Sequence, residues 1–179
     1  MKATVLGFAG GVKSGKSTIS SAVAQVLGCP RVSFGNYVRT IATQNGLPAV
    51  RETLQAVGES LVRTNVEQFC SAVLGQVVWK PGDALIIDGI RHLEVLQVLK
   101  QLVLPAQLKL LYVEVAITER RRRLIDSEKT AKSLEELEAH STEHDVTTAL
   151  KSQADVIIEG TRTMKVIVDE IVSWASKFP

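Results

Sequence analysis

The chain predicts an α/β fold of three layers, α/β/α, built on a five-stranded parallel sheet into which a helical insert and a short lid are set. Three observations predict it. Apolar runs alternate with helical patterns over the whole length, which is the rhythm of a doubly wound sheet. Those runs are continuous rather than polar at every second place, as expected where helices cover both faces. The first of them passes through a glycine-rich turn straight into an amphipathic helix.

Taken in order, residues 2–9 (KATVLGFA) read as the first buried strand. A helix follows from Gly15, with Ile19, Val23, Val26 and Leu27 on one face and Gly28 as its stop. Residues 31–34 are a short second strand, and Asn36 is expected to cap a helix that ends near Asn45. Residues 51–61 and 62–79 read as two helices, the second closed by Pro81 and Gly82. Residues 84–88 (ALIID) are the third strand, and a helix is predicted from about 93 to 103. Residues 108–115 form the fourth strand, and Thr118 opens an arginine-rich helix. Ser133 and Glu136 make a capping box for a further helix to about residue 151. Residues 155–158 are the last strand and 164–174 the last amphipathic helix.

A length of 179 residues is that of one domain with a real core. The strand-helix rhythm assigns residues 1–35, 81–119 and 151–179 to that core. The polar, helix-rich stretches at about 36–80 and 120–150 interrupt the rhythm and are read as the insert and the lid.

The chemistry is densest at residues 7–20, GFAGGVKSGKSTIS. From Gly10 this fits the phosphate-loop template G-x-x-x-x-G-K-[ST]. Gly10, Gly15, Lys16 and Ser17 take the fixed places, Gly11, Val12, Lys13 and Ser14 lie between them, and Thr18 follows. Glycines let successive backbone N–H groups turn toward phosphate oxygens, and the helix that follows adds its positive end. Lys16 is expected to reach the β- and γ-phosphates, and Ser17 to offer its hydroxyl to Mg²⁺. The fold read here is therefore the phosphate-loop nucleoside triphosphate-binding type. Asp88, the one charged residue closing an apolar strand, is expected beside the loop as a second Mg²⁺ anchor.

Arginines at separated places point to a second phosphate. The guanidinium pairs bidentately with phosphate oxygens, so fixed arginines are the natural clamp for a phosphate-bearing acceptor. Arg39 follows the second strand, Arg91 lies three residues past Asp88, and Arg120 to Arg123 form a run entering the lid. Arg120 and Arg123 are spaced one helical turn apart, able to point together into a cleft. Arg51 and Arg63 are further candidates.

VSFGNYVR (residues 32–39) is similar to the S-x-G-D-x-[LV]-R segment of adenylate-kinase-like nucleoside monophosphate kinases. IIDGIR (86–91) resembles that family's D-G-[FI]-[PR] strand end, and RRRR the start of its lid. QADVIIEGT (153–161) resembles a strand near the end of dephospho-coenzyme A kinases, and RETLQAVGESLVR (51–63) a stretch of phage-type deoxynucleoside monophosphate kinases. The resemblance spans nearly the whole chain. It implies transfer of a phosphoryl group from ATP·Mg²⁺ to a small nucleotide acceptor, which Arg39 and Arg91 would hold while Arg120 and Arg123 close over it. Two departures stand out: Asn36 replaces the family's Asp, and Ser33 stands where dephospho-coenzyme A kinases carry the acid that serves as base toward a sugar hydroxyl. A phosphate acceptor is already anionic and needs no base, which tilts the expectation toward a nucleoside monophosphate. The alternatives are a hydroxyl acceptor of the dephospho-coenzyme A type and a nucleotide-binding switch with little transfer activity. The region after the fourth strand reads VEVAITER and lacks the N-K-x-D motif with which GTP switches read the base.

Composition excludes other classes. The net charge of +2 is too balanced for a nucleic-acid wrapper, and four Phe and two Tyr are too few for a single-strand stacking surface. Cys29 and Cys70 lie at no metal-ligand spacing and read as two buried thiols of a cytoplasmic protein. The first apolar run leads into the loop rather than a cleavage site, and no run is long enough for a bilayer, so neither a signal peptide nor membrane association is expected. His140 and His144 have metal-compatible spacing but sit in a polar helical pattern, and are expected on a solvated face. Trp79 and Trp174 are expected in the core.

Overall fold

The computed structural model describes residues 4–128 and 146–178. The elements run β1 (Thr4–Ala9), α1 (Lys16–Leu27), β2 (Arg31–Ser33), α2 (Phe34–Gln44), α3 (Arg51–Leu74), β3 (Leu85–Asp88), α4 (Leu93–Leu102), β4 (Gln107–Glu114), α5 (Ile117–Glu128), β5 (Val156–Glu159) and α6 (Met164–Ala175), with a π-helical segment at Val146–Leu150. The five strands pair in the order β2-β3-β1-β4-β5, all parallel. The predicted five-stranded parallel sheet is thus the observed one.

Continuous apolar strands have a direct structural counterpart here. Val5 and Ala9 of β1 face one layer, packing with Phe34, Val38, Phe69 and Leu99 of α2, α3 and α4. Leu6 and Phe8 face the other, packing with Ile19 and Val23 of α1 and Ile167 and Ile171 of α6. Each residue of a central strand is buried whichever way it points, so no position is left for a polar alternation. At about 25 cal/mol for each Å² of apolar surface removed from water, these two layers are the main favourable term of folding.

Several boundaries differ from expectation, each for a local reason. The second strand stops at Ser33 rather than Phe34, and α2 is capped by Ser33 rather than Asn36. Ser33 is extended and its Oγ accepts the backbone N–H of Asn36 at 3.3 Å, which is the N-cap geometry. The two helices expected over residues 51–79 appear as one run, Arg51–Leu74, broken by extended backbone at Asn65. Asn65 Oδ1 accepts the N–H of Gln68 at 2.9 Å and so caps the second half itself. The junction therefore lies at an Asn-x-x-Gln cap. In α1 the stripe reaches the core only as far as Ala24, since Val26 and Leu27 are exposed beyond the last contact with β1. The expected helix over residues 133–151, the bulk of the lid, and His140 and His144 lie largely outside the described residues.

Trp79 packs at the edge of the core and donates its Nε1–H to the carbonyl of Asp83, and Trp174 meets Phe178 edge-on. Cys70 is fully buried and Cys29 half-buried, both as free thiols. Burial, with Glu94 adding to it, pushes the Cys70 thiol up to about 12, so it is a small hydrophobe rather than a nucleophile. Among the described residues no helix is long and apolar enough to cross a membrane.

Candidate active site

The turn after β1 is shaped by what a side chain would strike. A Cβ at Gly10, where φ is +151°, would lie 2.7 Å from the Val113 carbonyl oxygen and 2.9 Å from Ser14 Oγ. Only glycine lets the chain leave β1 so close to β4. Lys13 (φ 59°) and Gly15 (φ 87°) then adopt left-handed backbone, and α1 starts at Lys16. Such alternation turns successive N–H groups toward one point, forming an anion-binding concavity at the helix N-terminus. Lys16 is buried at this start, while Ser17 and Thr18 are exposed on the first turn.

Asp88 closes β3, opposite Phe8 of β1, so the strand order brings it beside the loop. It is buried. Arg31, from β2, donates Nη2 to Asp88 Oδ2 at 2.7 Å and Nε to Ser20 Oγ at 2.9 Å, joining the carboxylate to α1. Ser33 Oγ also reaches Oδ2, at 3.4 Å. The second oxygen, Oδ1, is buried with no hydrogen-bond partner among the described residues. A lone carboxylate oxygen with the hydroxyl of Ser17 on the neighbouring helix start fits a hard cation that takes its remaining ligands from phosphates and water. Among the described residues there is no cluster of three or more His, Cys, Asp or Glu, in keeping with so sparse a donor set. Arg31 was not singled out from the sequence. The signal was an arginine opening a strand that ends beside a buried acid, readable only once β2 and β3 are known to be neighbours.

A cavity of about 350 Å³ opens between α2, the first half of α3 and the start of α4. Arg39, Arg51 and Arg91 all line it, together with apolar Phe34, Val38, Leu54, Phe69 and Val95. Gly89 lies in its wall and donates its N–H to the Phe8 carbonyl, one residue from Asp88, so cavity and loop share one end of the sheet. Arg63 does not join them: its side chain is 80% exposed and stands 3.9 Å from the Glu59 carboxylate.

The arginine run does not point into this cleft. Arg120 is buried and donates Nε to the Val115 carbonyl at 3.1 Å, while Arg121 and Arg122 are exposed. Arg123 reaches the outer side of the phosphate loop, with Nη1 at 3.4 Å from the carbonyls of Lys13 and Ser14. Its Nη2 meets the Gly160 carbonyl at 2.9 Å and its Nε meets Glu119 at 2.8 Å. A Cβ on Gly160 would stand 2.7 Å from Val115 and 3.0 Å from the Ser14 carbonyl, so glycine is required for this approach. Arg120 thus meets the carbonyl just after β4, and Arg123 the carbonyls of the phosphate loop and of Gly160. Glu119 accepts hydrogen bonds from Arg122 and from Arg123, and these hold its carboxyl at about 2.

Sheet order, glycine turn and buried acid define a phosphate-loop protein of the nucleoside-monophosphate-kinase-like superfamily. A family model described as an AAA domain matches residues 6–144, and the chain belongs to that family. It is 32% identical over 98 residues to a dephospho-CoA kinase of Carboxydothermus hydrogenoformans. That match spans 54% of this chain and about half, 46%, of the relative. Among solved structures, a shikimate kinase from Acinetobacter baumannii in complex with shikimate superposes with a TM-score of 0.64 at 14% identity, over 98% of this chain and 94% of the other. A shikimate kinase from Aquifex aeolicus gives 0.62 at 18% identity, over 97% and 96%. A gluconokinase from Sinorhizobium meliloti gives 0.62 at 12% identity, over 98% and 93%. At such identities the likeness is one of fold.

Two outcomes follow from this geometry. Arg31→Met leaves the Asp88 carboxylate buried without its cation and is expected to lower stability by about 3 kcal/mol, while the pair Arg31→Met/Asp88→Asn recovers most of it. Urea unfolding followed by circular dichroism measures both. For Glu119 the folded pKa lies below the ordinary 4.5, so the contribution of its ion pairs is complete above about 4.5 and is lost as pH falls toward 2. The difference in melting temperature between wild type and Glu119→Gln is therefore expected at neutral pH and should close over that interval.

Proposed function

We propose that this chain transfers the γ-phosphoryl group of ATP to a phosphate-bearing small acceptor, a nucleoside monophosphate or a nucleotide of similar size. The reading rests on one observation: three arginines, from the middle of α2, the start of α3 and the segment between β3 and α4, line one cavity at the phosphate-loop end of the sheet. Fixed guanidinium groups pair bidentately with phosphate oxygens, so a trio of them supports an acceptor that bears a phosphate. In this reading residues 10–18 bind the triphosphate, residues 36–80 form the acceptor-binding insert of a single domain, and the protein works in the cytoplasm on freely diffusing nucleotides.

Each group then has a task. Lys16 neutralises charge on the β- and γ-phosphates, and the backbone N–H groups around Gly15 hold their oxygens. Arg39, Arg51 and Arg91 fix the acceptor phosphate so that one of its oxygens faces the γ-phosphorus. That oxygen forms the new P–O bond as the bond from phosphorus to the β–γ bridging oxygen breaks, releasing ADP. No proton has to be removed, which suits a β2 end that carries Ser33 rather than an acid. Ser17 and Asp88 would hold Mg²⁺, which when bound supplies positive charge to the donor phosphates. Arg123 acts as a positioning residue, keeping the outer side of the loop against the turn at Gly160.

The second reading, transfer to a sugar hydroxyl, is favoured by the partial match to a dephospho-CoA kinase. A screen of ADP release over nucleoside monophosphates, dephospho-coenzyme A and no acceptor separates the two. Acceptor-dependent turnover with a monophosphate is expected; turnover with dephospho-coenzyme A alone overturns the preferred reading. In the same assay Lys16→Ala should abolish transfer with the fold intact. Arg39→Ala should raise the acceptor KM roughly ten- to a hundredfold, the loss of a charge-assisted hydrogen bond, with ATP binding unchanged.

A further inference from the structure

Among the polar residues that line the acceptor cavity, Gln55 has a property that no arginine role explains. Gln55 lies one helical turn after Arg51 on α3 and lines the same cavity. Its Nε2 is buried and has no hydrogen-bond partner among the described residues. A buried amide donor left unmet is costly and is retained where something else satisfies it. Gln55 is neutral, so it adds nothing to the clamp that the three arginines make for a phosphate. Around it are the apolar groups of the same cavity, Phe34, Val38, Leu54 and Phe69, and the rings of Phe34 and Phe69 meet edge-on at 5.2 Å. Apolar and aromatic walls with a neutral, unmet hydrogen-bond donor among them are the chemistry that receives a flat heterocycle and reads one atom on its edge.

We propose that Gln55 is the base-reading residue of the acceptor site, donating its side-chain N–H to a ring carbonyl or ring nitrogen of the acceptor's base. The inference rests on the proposed nucleotide acceptor and adds to it the residue that selects among bases. It divides the cavity by chemistry: the arginines take the charged end of the acceptor and Gln55 the neutral, flat end. A site that hydrogen-bonds one ligand atom rejects analogues lacking it much more strongly than an apolar slot does, because its own donor is then left buried and unmet. Selectivity among bases therefore depends on Gln55, while transfer itself does not.

The test compares wild type, Gln55→Leu and Gln55→Glu. It measures kcat and KM with purine and pyrimidine nucleoside monophosphates and with ribose 5-phosphate, a sugar phosphate that carries no base. It also measures the melting temperature of each protein without ligands. Gln55→Leu is expected to lower kcat/KM for the preferred nucleotide by about tenfold or more, mostly through KM, and to flatten the ranking of bases. It should leave ribose 5-phosphate and the KM for ATP unchanged. It should melt no lower than wild type, since an apolar group replaces an unmet donor. Gln55→Glu, which keeps the shape but loses the donor, should also lose the ranking. If Gln55→Leu melts well below wild type, or if both variants keep the wild-type ranking of bases, Gln55 is structural and the inference is overturned while the nucleotide acceptor stands. If the wild type phosphorylates no monophosphate at all, the acceptor class falls, and the assignment of Gln55 falls with it.

Discussion

A charged carboxylate cannot be buried at the end of a central strand without compensation, and the phosphate-binding end of this molecule is organised around how Asp88 is compensated. Arg31 supplies the opposite charge to one oxygen and, through Ser20, ties the carboxylate to the helix that follows the phosphate loop. Ser33 meets the same oxygen and at the same time caps α2, whose residues form a wall of the cavity that Arg39, Arg51 and Arg91 line. One carboxylate thus connects β2, β3, α1 and α2. Its other oxygen is left without a partner among the described residues, at the point where the loop opens. Removing the negative charge would free Arg31 and unfix the elements on either side of it.

Two sets of cationic groups approach this end of the sheet from different layers, and the separation is useful. Lys16 belongs to α1, on the face shared with α6, whereas Arg39, Arg51 and Arg91 belong to the face carrying α2, α3 and α4. β1 and β3 run between them. In the proposed function, a donor held on one face and an acceptor held on the other would meet at the carboxyl ends of the strands, the usual place for ligands in open α/β sheets. Because both sets are carried on elements anchored in a continuous core, their spacing is fixed before any ligand arrives, which is the source of positioning in this kind of chemistry.

The arginine run shows what packing adds to residue type. The sequence offers Arg120 and Arg123, one helical turn apart, as the pair that could point together into a cleft. In the folded chain Arg120 is consumed by a carbonyl of the preceding strand end, and Arg123 by three carbonyls and Glu119. A buried guanidinium with five N–H groups to satisfy will take backbone oxygens wherever they converge, and here they converge behind the loop. The result is a brace that ties α5 to the phosphate loop and to the turn at Gly160.

Read without coordinates, the chain declared its strands, its loop and its acid, because each of these is specified locally. A buried parallel strand needs a run of apolar residues, a phosphate loop needs glycine at places where a Cβ would collide, and both demands are met by neighbours in the chain. Gly10, Lys16, Ser17 and Asp88 were legible for that reason. The helix break at Asn65 and the cap at Ser33 were nearly so, since their signals are local but short. What waited on the fold was every relation across a layer. Arg31 acquires its partner only when β2 is laid beside β3, and Arg51 joins Arg39 and Arg91 only when α3 folds back over α2. Gln55 is one more polar residue on an amphipathic helix until the aromatic rings of α2 and α3 close around its cavity. Arginine reach exceeds a helical turn and carries no direction in the sequence, so which phosphate or carbonyl each one meets is settled by packing alone.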